Sequence, residues 1–130
     1  MKNLTPHDIV LLAENEAIKY DAKTRQYSAK ADEVTILITL PKSGIILRVS
    51  TQEFGCNPVE EWPVREIIYG NVEELDQLDP DKENYIVGGL IVEALKDANF
   101  DTTGFYRPGR QVRDEANLSH ILGCLDLYLA

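Results

Sequence analysis

The sequence predicts an α+β domain. It is read as a mainly antiparallel sheet, or a small partly open barrel of five to seven strands, with one helix over about residues 88–99. Three observations carry that reading. Short β-branched apolar runs recur along the chain, the strongest being Val34-Thr-Ile-Leu-Ile-Thr-Leu40. Glycine, proline and short polar clusters separate these runs. A helical period appears only after Gly88-Gly89, where Leu90, Ile91, Ala94, Leu95 and Ala98 form one stripe with Glu93, Lys96 and Asp97 elsewhere on the wheel.

Taken in order, Asp8-Ile-Val-Leu-Leu12 reads as a short buried strand entered from Pro6. Residues 14–33 are polar, and Ile18, Tyr20 and Tyr27 flank the turn-like Asp21-Ala-Lys-Thr-Arg25. This suits a protruding hairpin or loop insertion, with a solvated helix as the competing reading because alanine and lysine favour helix. Pro41-Lys-Ser-Gly44 is a turn by composition, so Val34–Leu40 and Ile45-Ile-Leu-Arg-Val-Ser50 are expected to pair as a hairpin. Gly55–Pro63 reads as a loop in which Trp62 plugs the edge of the core, with an anchor for a partner as the competing reading. Val64-Arg-Glu-Ile-Ile-Tyr69 is a strand stopped by Gly70. Residues 73–83 hold six acids and one lysine, with neither the ligand spacing nor the glycine of a calcium loop, and read as a solvated connector. Tyr85-Ile-Val87 leads into the helix, and Ser119–Leu125 is the last strand. No repeat or second domain interrupts residues 1–130, a length that one domain accounts for.

The composition bounds function. The hydrophobic fraction is 44% and the charged fraction 27%, ordinary values for a soluble domain. With 22 acids against 13 bases the net charge is −9, which argues against a surface for duplex nucleic acid. Cys56 and Cys124 have no cysteine or histidine at ligand spacing, so no metal site is expected. They read as reduced, mostly buried small hydrophobes, with a disulfide between them left open. The start of the chain lacks the apolar run of a signal peptide, and no segment reaches membrane-spanning length. A cytoplasmic protein without membrane contact is the expectation.

One place departs from the acidic background. Half of the arginines fall in Arg107-Pro-Gly-Arg110-Gln-Val-Arg113. Gly88 and Gly89 open a helix start, where free N–H groups and the helix dipole favour an anion. The candidate ligand-binding set is therefore Gly88, Gly89, Arg107, Arg110 and Arg113, holding a small anionic or phosphate-bearing ligand. The competing structural reading is a glycine N-cap together with arginines that pin loops through carboxylates or carbonyls, Arg113 among them. No dinucleotide or Walker fingerprint is present. His7 and His120 lie at opposite ends of the chain with no nucleophile at a suggestive spacing, so no catalytic residue and no cofactor are assigned.

Four stretches carry a resemblance: Leu4-Thr-Pro-His-Asp-Ile9, Leu40-Pro-Lys-Ser-Gly-Ile45, Tyr85-Ile-Val87, and Pro108-Gly-Arg-Gln-Val-Arg-Asp114 followed by Leu122-Gly-Cys124. In these the chain resembles a set of short, largely uncharacterised proteins from bacteriophages, prophages and bacterial genomes. It departs from them in a longer 14–33 segment and in Gly88, where a serine is expected. The resemblance carries no activity. It implies a small protein that binds a host component or a signalling molecule. The absence of a catalytic motif, with Gly88, Gly89 and the arginine segment, gives the expectation of a non-catalytic binding protein, an oligomer, that holds or sequesters a host protein or a small phosphate-bearing molecule. Two alternatives are a nucleotide or phosphoester hydrolase using His7 or the acids near the arginines, and a structural interaction module with an exposed apolar face on the sheet or helix.

Overall fold

The computed structural model describes residues 1–130. It contains twelve strands and one α-helix: β1 (Lys2–Asn3), β2 (Ile9–Leu12), β3 (Lys19–Asp21), β4 (Gln26–Ala29), β5 (Ile36–Leu40), β6 (Val49–Val59), β7 (Trp62–Val72), β8 (Tyr85–Ile86), α1 (Gly89–Asp97), β9 (Phe105–Pro108), β10 (Gln111–Asp114), β11 (Asn117–Cys124) and β12 (Leu127–Leu129). The α+β class is what the chain adopts. The count of strands exceeds the five to seven expected, because several are only two to four residues long.

The strands form three sheets and no barrel. A four-stranded sheet runs β1-β8-β9-β12, a six-stranded sheet β3-β4-β10-β11-β2-β5, and β6 pairs with β7 alone. Both larger sheets are mixed, with parallel pairs at β1/β8, β8/β9, β4/β10 and β11/β2. Within residues 14–33 the antiparallel pair β3/β4 is joined to the six-stranded sheet through β10.

Two small cores hold this body together. Leu4, Leu47, Tyr85, Val87, Ile91, Val92, Leu95 and Phe105 cluster between the four-stranded sheet and α1. Leu12, Ala29, Val112 and Leu125 form the second cluster, on the six-stranded sheet. The helix buries Ile91, Val92, Ala94 and Leu95. Its core stripe thus takes Val92 in place of the expected Leu90 and Ala98, both of which face solvent. Where β11 crosses β2, a side chain at Gly123 would meet the Val10 carbonyl at 2.7 Å and Leu12 Cγ at 2.8 Å, so the close approach requires glycine.

The expected hairpin of Val34–Leu40 with Ile45–Ser50 does not form. β5 pairs with β2 instead, with Ile9 opposite Leu40 and Leu11 opposite Ile38. The reason lies at Asn3, a polar residue only 1% exposed. Its amide donates to the carbonyls of His7 and Leu40, and its Oδ1 accepts from the Thr5 N–H and hydroxyl. Its own carbonyl accepts from the Ser43 N–H and Oγ. These bonds hold Pro41–Ser43 beside β1 and turn the chain across to the other core, where Ile45 and Leu47 pack. A turn composition serves a crossover as well as a hairpin.

The second correction is at Gly55–Pro63, which is not a loop. β6 and β7 run antiparallel from Val49/Val72 to Val59/Trp62, with the two-residue turn Glu60-Glu61. Both turn residues have left-handed backbone, φ 49° and 71°, the geometry that suits the twist of a two-residue hairpin. Proline is tolerated because each strand of an isolated ribbon has a free edge. β7 also continues through Gly70 to Val72. Trp62 does not plug a core edge: it stands 74% exposed at the ribbon tip.

Candidate functional site

Two features of this fold offer contact surfaces, a cleft at the join of the larger sheets and the β6–β7 ribbon. The cleft has a volume of about 720 Å³. Its walls come from the loop into β2, the start of α1, the end of β9, part of β11, and Tyr128 on β12. Gly88, Gly89 and Arg107 all line it, together with His7 and Asp8. At Gly88, φ is −75°, and an added Cβ at Gly88 or Gly89 would meet nothing within 4 Å. Neither turn geometry nor packing demands glycine there, and the pair leaves the uncapped first turn of α1 uncovered.

Of the three clustered arginines, Arg107 alone reaches this cleft. Its guanidinium stacks over the Tyr128 ring at 5.1 Å and makes no ion pair. Arg110 is turned the other way. Its Nη1 and Nη2 donate to the two oxygens of Glu14 at 2.8 Å each, and its Nε and backbone N–H donate to Asp126 at 2.8 Å each. Tyr27 lies beneath it at 5.6 Å. Gly109 allows this closure, since a side chain there would collide with the Asp126 carboxylate. Arg113 donates Nη1 to the Leu118 carbonyl across the β10–β11 turn at 2.9 Å. The geometry does not bring the three guanidiniums together.

The electrostatics around Arg110 follow from this fork. The Glu14 carboxylate is the main cause that raises the guanidinium above its ordinary pKa, and Tyr27 and Asp126 add to it. In return the hydrogen bond from Arg110 holds Glu14 below the usual carboxylate range. At Asp126, burial opposes ionisation, but the backbone N–H and guanidinium of Arg110 outweigh it and the net shift is downward. Glu14 and Asp126 lie 96 and 16 residues from Arg110, so no local pattern announces them.

Little in the cleft resembles catalytic machinery. His7 is fixed through its backbone carbonyl, which accepts from Asn3 and Thr5, and its ring makes no hydrogen bond. Cys124 is the nearest thiol. It is buried, donates to the Val10 carbonyl at 3.5 Å, and burial pushes its pKa up, which disfavours a thiolate nucleophile. Cys56 is exposed on the ribbon, against the expectation that both cysteines are buried, and both are free. No three His, Cys, Asp or Glu side chains stand together as a metal site. No helix is long and apolar enough to cross a membrane.

The ribbon presents the other surface. Eleven residues per strand span roughly 36 Å at ~3.3 Å each, while a domain of this size has a radius of gyration of roughly 14 Å. Its root is fastened. Val49 and Val72 pack on the larger core, and the Tyr69 hydroxyl meets Glu93 of α1 at 2.9 Å. Beyond the root, residues 51–68 have no hydrogen bond or ion pair to the body. The pairing register puts Phe54 opposite Glu66, Cys56 opposite Val64 and Gln52 opposite Ile68 on one face, with Glu53, Arg65 and Ile67 on the other. The first face is largely apolar and has nothing packed on it. Val59 and Trp62 close the tip as an exposed pair. The edge strand β5 adds to this, with Ile36, Leu37 and Ile38 all exposed.

Comparison of the chain with protein-family models, with curated proteins and with solved structures found no match.

Proposed function

We propose that this chain is a non-catalytic interaction protein whose binding element is the β6–β7 ribbon, and that its ligand is another protein. The observation that carries this reading is the ribbon's apolar face, Phe54, Cys56, Val64 and Ile68, held away from the body with Trp62 at the tip. An isolated two-stranded hairpin is marginal in water, and an exposed apolar face is a recurrent mark of an interface. Tryptophan is among the residues that most often anchor protein contacts. The thin interior points the same way. Only 18 of 130 residues are buried, so much of the apolar content is left for contacts outside the chain. The cleft supports a ligand less well, because one guanidinium reaches it and the carboxylate-bearing Asp8 lines the same space.

The test is excision of the distal ribbon, with residues 53–67 replaced by Asn-Gly. The body should keep its melting midpoint. In extracts of the cell that makes the protein, a photo-crosslinker in place of Trp62 should give a discrete adduct, and the same probe at Lys96 should not. Collapse of the body on excision, or no discrete adduct at position 62, contradicts the proposal.

A further inference from the structure

We infer that the ribbon's partner is a second copy of this chain, and that the ribbon tip docks on the β3–β4 hairpin of that copy. This rests on the reading of the ribbon as the binding element. What selects the occupant is charge. Residues 49–72 carry Glu53, Glu60, Glu61 and Glu66 against Arg65, a formal −3 in which Glu53 already pairs with Arg65. Three acids remain unpaired, two of them at the tip beside Trp62.

A complementary surface is scarce on a chain of net charge −9. Lys2, Lys19, Arg65, Lys82 and Arg110 are held in ion pairs, and Arg113 is bonded to a carbonyl. The β3–β4 hairpin carries Lys19, Lys23 and Arg25 against Asp21, a formal +2, and Lys23 and Arg25 at its turn are exposed and in no ion pair. Lys30, just beyond it, stands with Asp32, Asp114 and Glu115 and adds nothing to this surface. Tyr20 lies on the same hairpin, 54% exposed and tilted against Tyr27 with ring centroids 4.7 Å apart. This surface thus offers what Glu60, Glu61 and Trp62 lack within their own chain: cations and an aromatic face. The tip of a ribbon that projects from the body meets that surface on a neighbour.

Sedimentation of the purified chain tests this through a charge swap. The wild type should associate reversibly. Glu60→Lys with Glu61→Lys, and separately Lys23→Glu with Arg25→Glu, should each weaken association by roughly tenfold or more at low salt. Each variant should keep the melting midpoint of the dilute wild type, which separates lost docking from lost folding. An equimolar mixture of the two variants, whose altered tips and hairpins are again opposite in charge, should recover association. Association untouched by either pair, or no recovery in the mixture, overturns the inference. So does a wild type that stays monomeric at high micromolar concentration. In that case a Trp62 adduct to a different protein leaves the ribbon as the binding element and removes only the second copy, whereas no adduct removes both.

Discussion

The body and the ribbon are built on opposite terms. The body's strands are short, two to eight residues, and they hold because side chains from distant segments close over two cores and because Asn3 and Arg110 bind loops from across the sequence. The ribbon has the two longest strands in the molecule, fastened only at its root by Val49, Val72 and Tyr69. Strand length here tracks the absence of neighbours rather than stability. A body strand stops where its core stops, whereas the ribbon continues because only its partner strand constrains it. The contrast teaches how the two parts are built: the body fixes a frame, and the ribbon extends apolar and acidic side chains beyond it.

The largest effect expected from this contrast comes from the core. Leu95 is 0% exposed in the α1 cluster, and Leu95→Ala should cost about 2–5 kcal/mol of unfolding free energy. Ile67→Ser, at an equally apolar but exposed ribbon position, should stay within about 0.5 kcal/mol of the wild type. Chemical denaturation of both variants measures the difference. Equal losses would mean that the ribbon belongs to the body's cooperative unit.

A smaller effect is expected at the Arg110 fork, and it has a pH signature. Glu14 and Asp126 have folded pKa values below their ordinary ones. The stability they contribute is therefore present above the unfolded carboxylate value of about 4 and is lost as pH falls through their lowered values. Arg110→Ala should lower the melting midpoint by several degrees at neutral pH and flatten its decline below about pH 4. Arg107→Ala, at a guanidinium that only stacks on Tyr128, should leave both the midpoint and the acid limb in place. An acid limb unchanged in Arg110→Ala would show that the fork contributes no linkage.

Much of the body was legible in the sequence, and the reasons are local. Ile9–Leu12, Ile36–Leu40, Tyr85–Ile86 and the helix from Gly89 are short apolar runs or a helical stripe, and each carries its own period. What the sequence hid depends on contacts from far away. Pro41–Gly44 has the composition of a hairpin turn, but Asn3, some forty residues earlier, takes Ser43 and makes it a crossover. Glycine, asparagine and proline between 55 and 63 punctuate an ordinary sheet, yet a two-stranded ribbon accommodates all three because it has no central strand. The candidate site divided for the same reason. Gly88, Gly89 and Arg107 share a cleft, as their place before and after α1 allows. Arg110 went to Glu14 and Asp126, partners that no spacing rule connects to it. Trp62 carried a signal in the two glutamates that precede it, which read as a solvated tip once the turn is placed at Glu60-Glu61.

Hydrogen exchange followed as a function of protein concentration tests the central claim most directly. In dilute solution the amides of residues 51–68 should exchange independently of the body, far faster than those of Leu95 and Val112. As concentration rises they should gain protection together with those around Lys23 and Arg25, while the core amides stay unchanged. Ribbon amides that exchange only with global unfolding, at every concentration, would contradict the account.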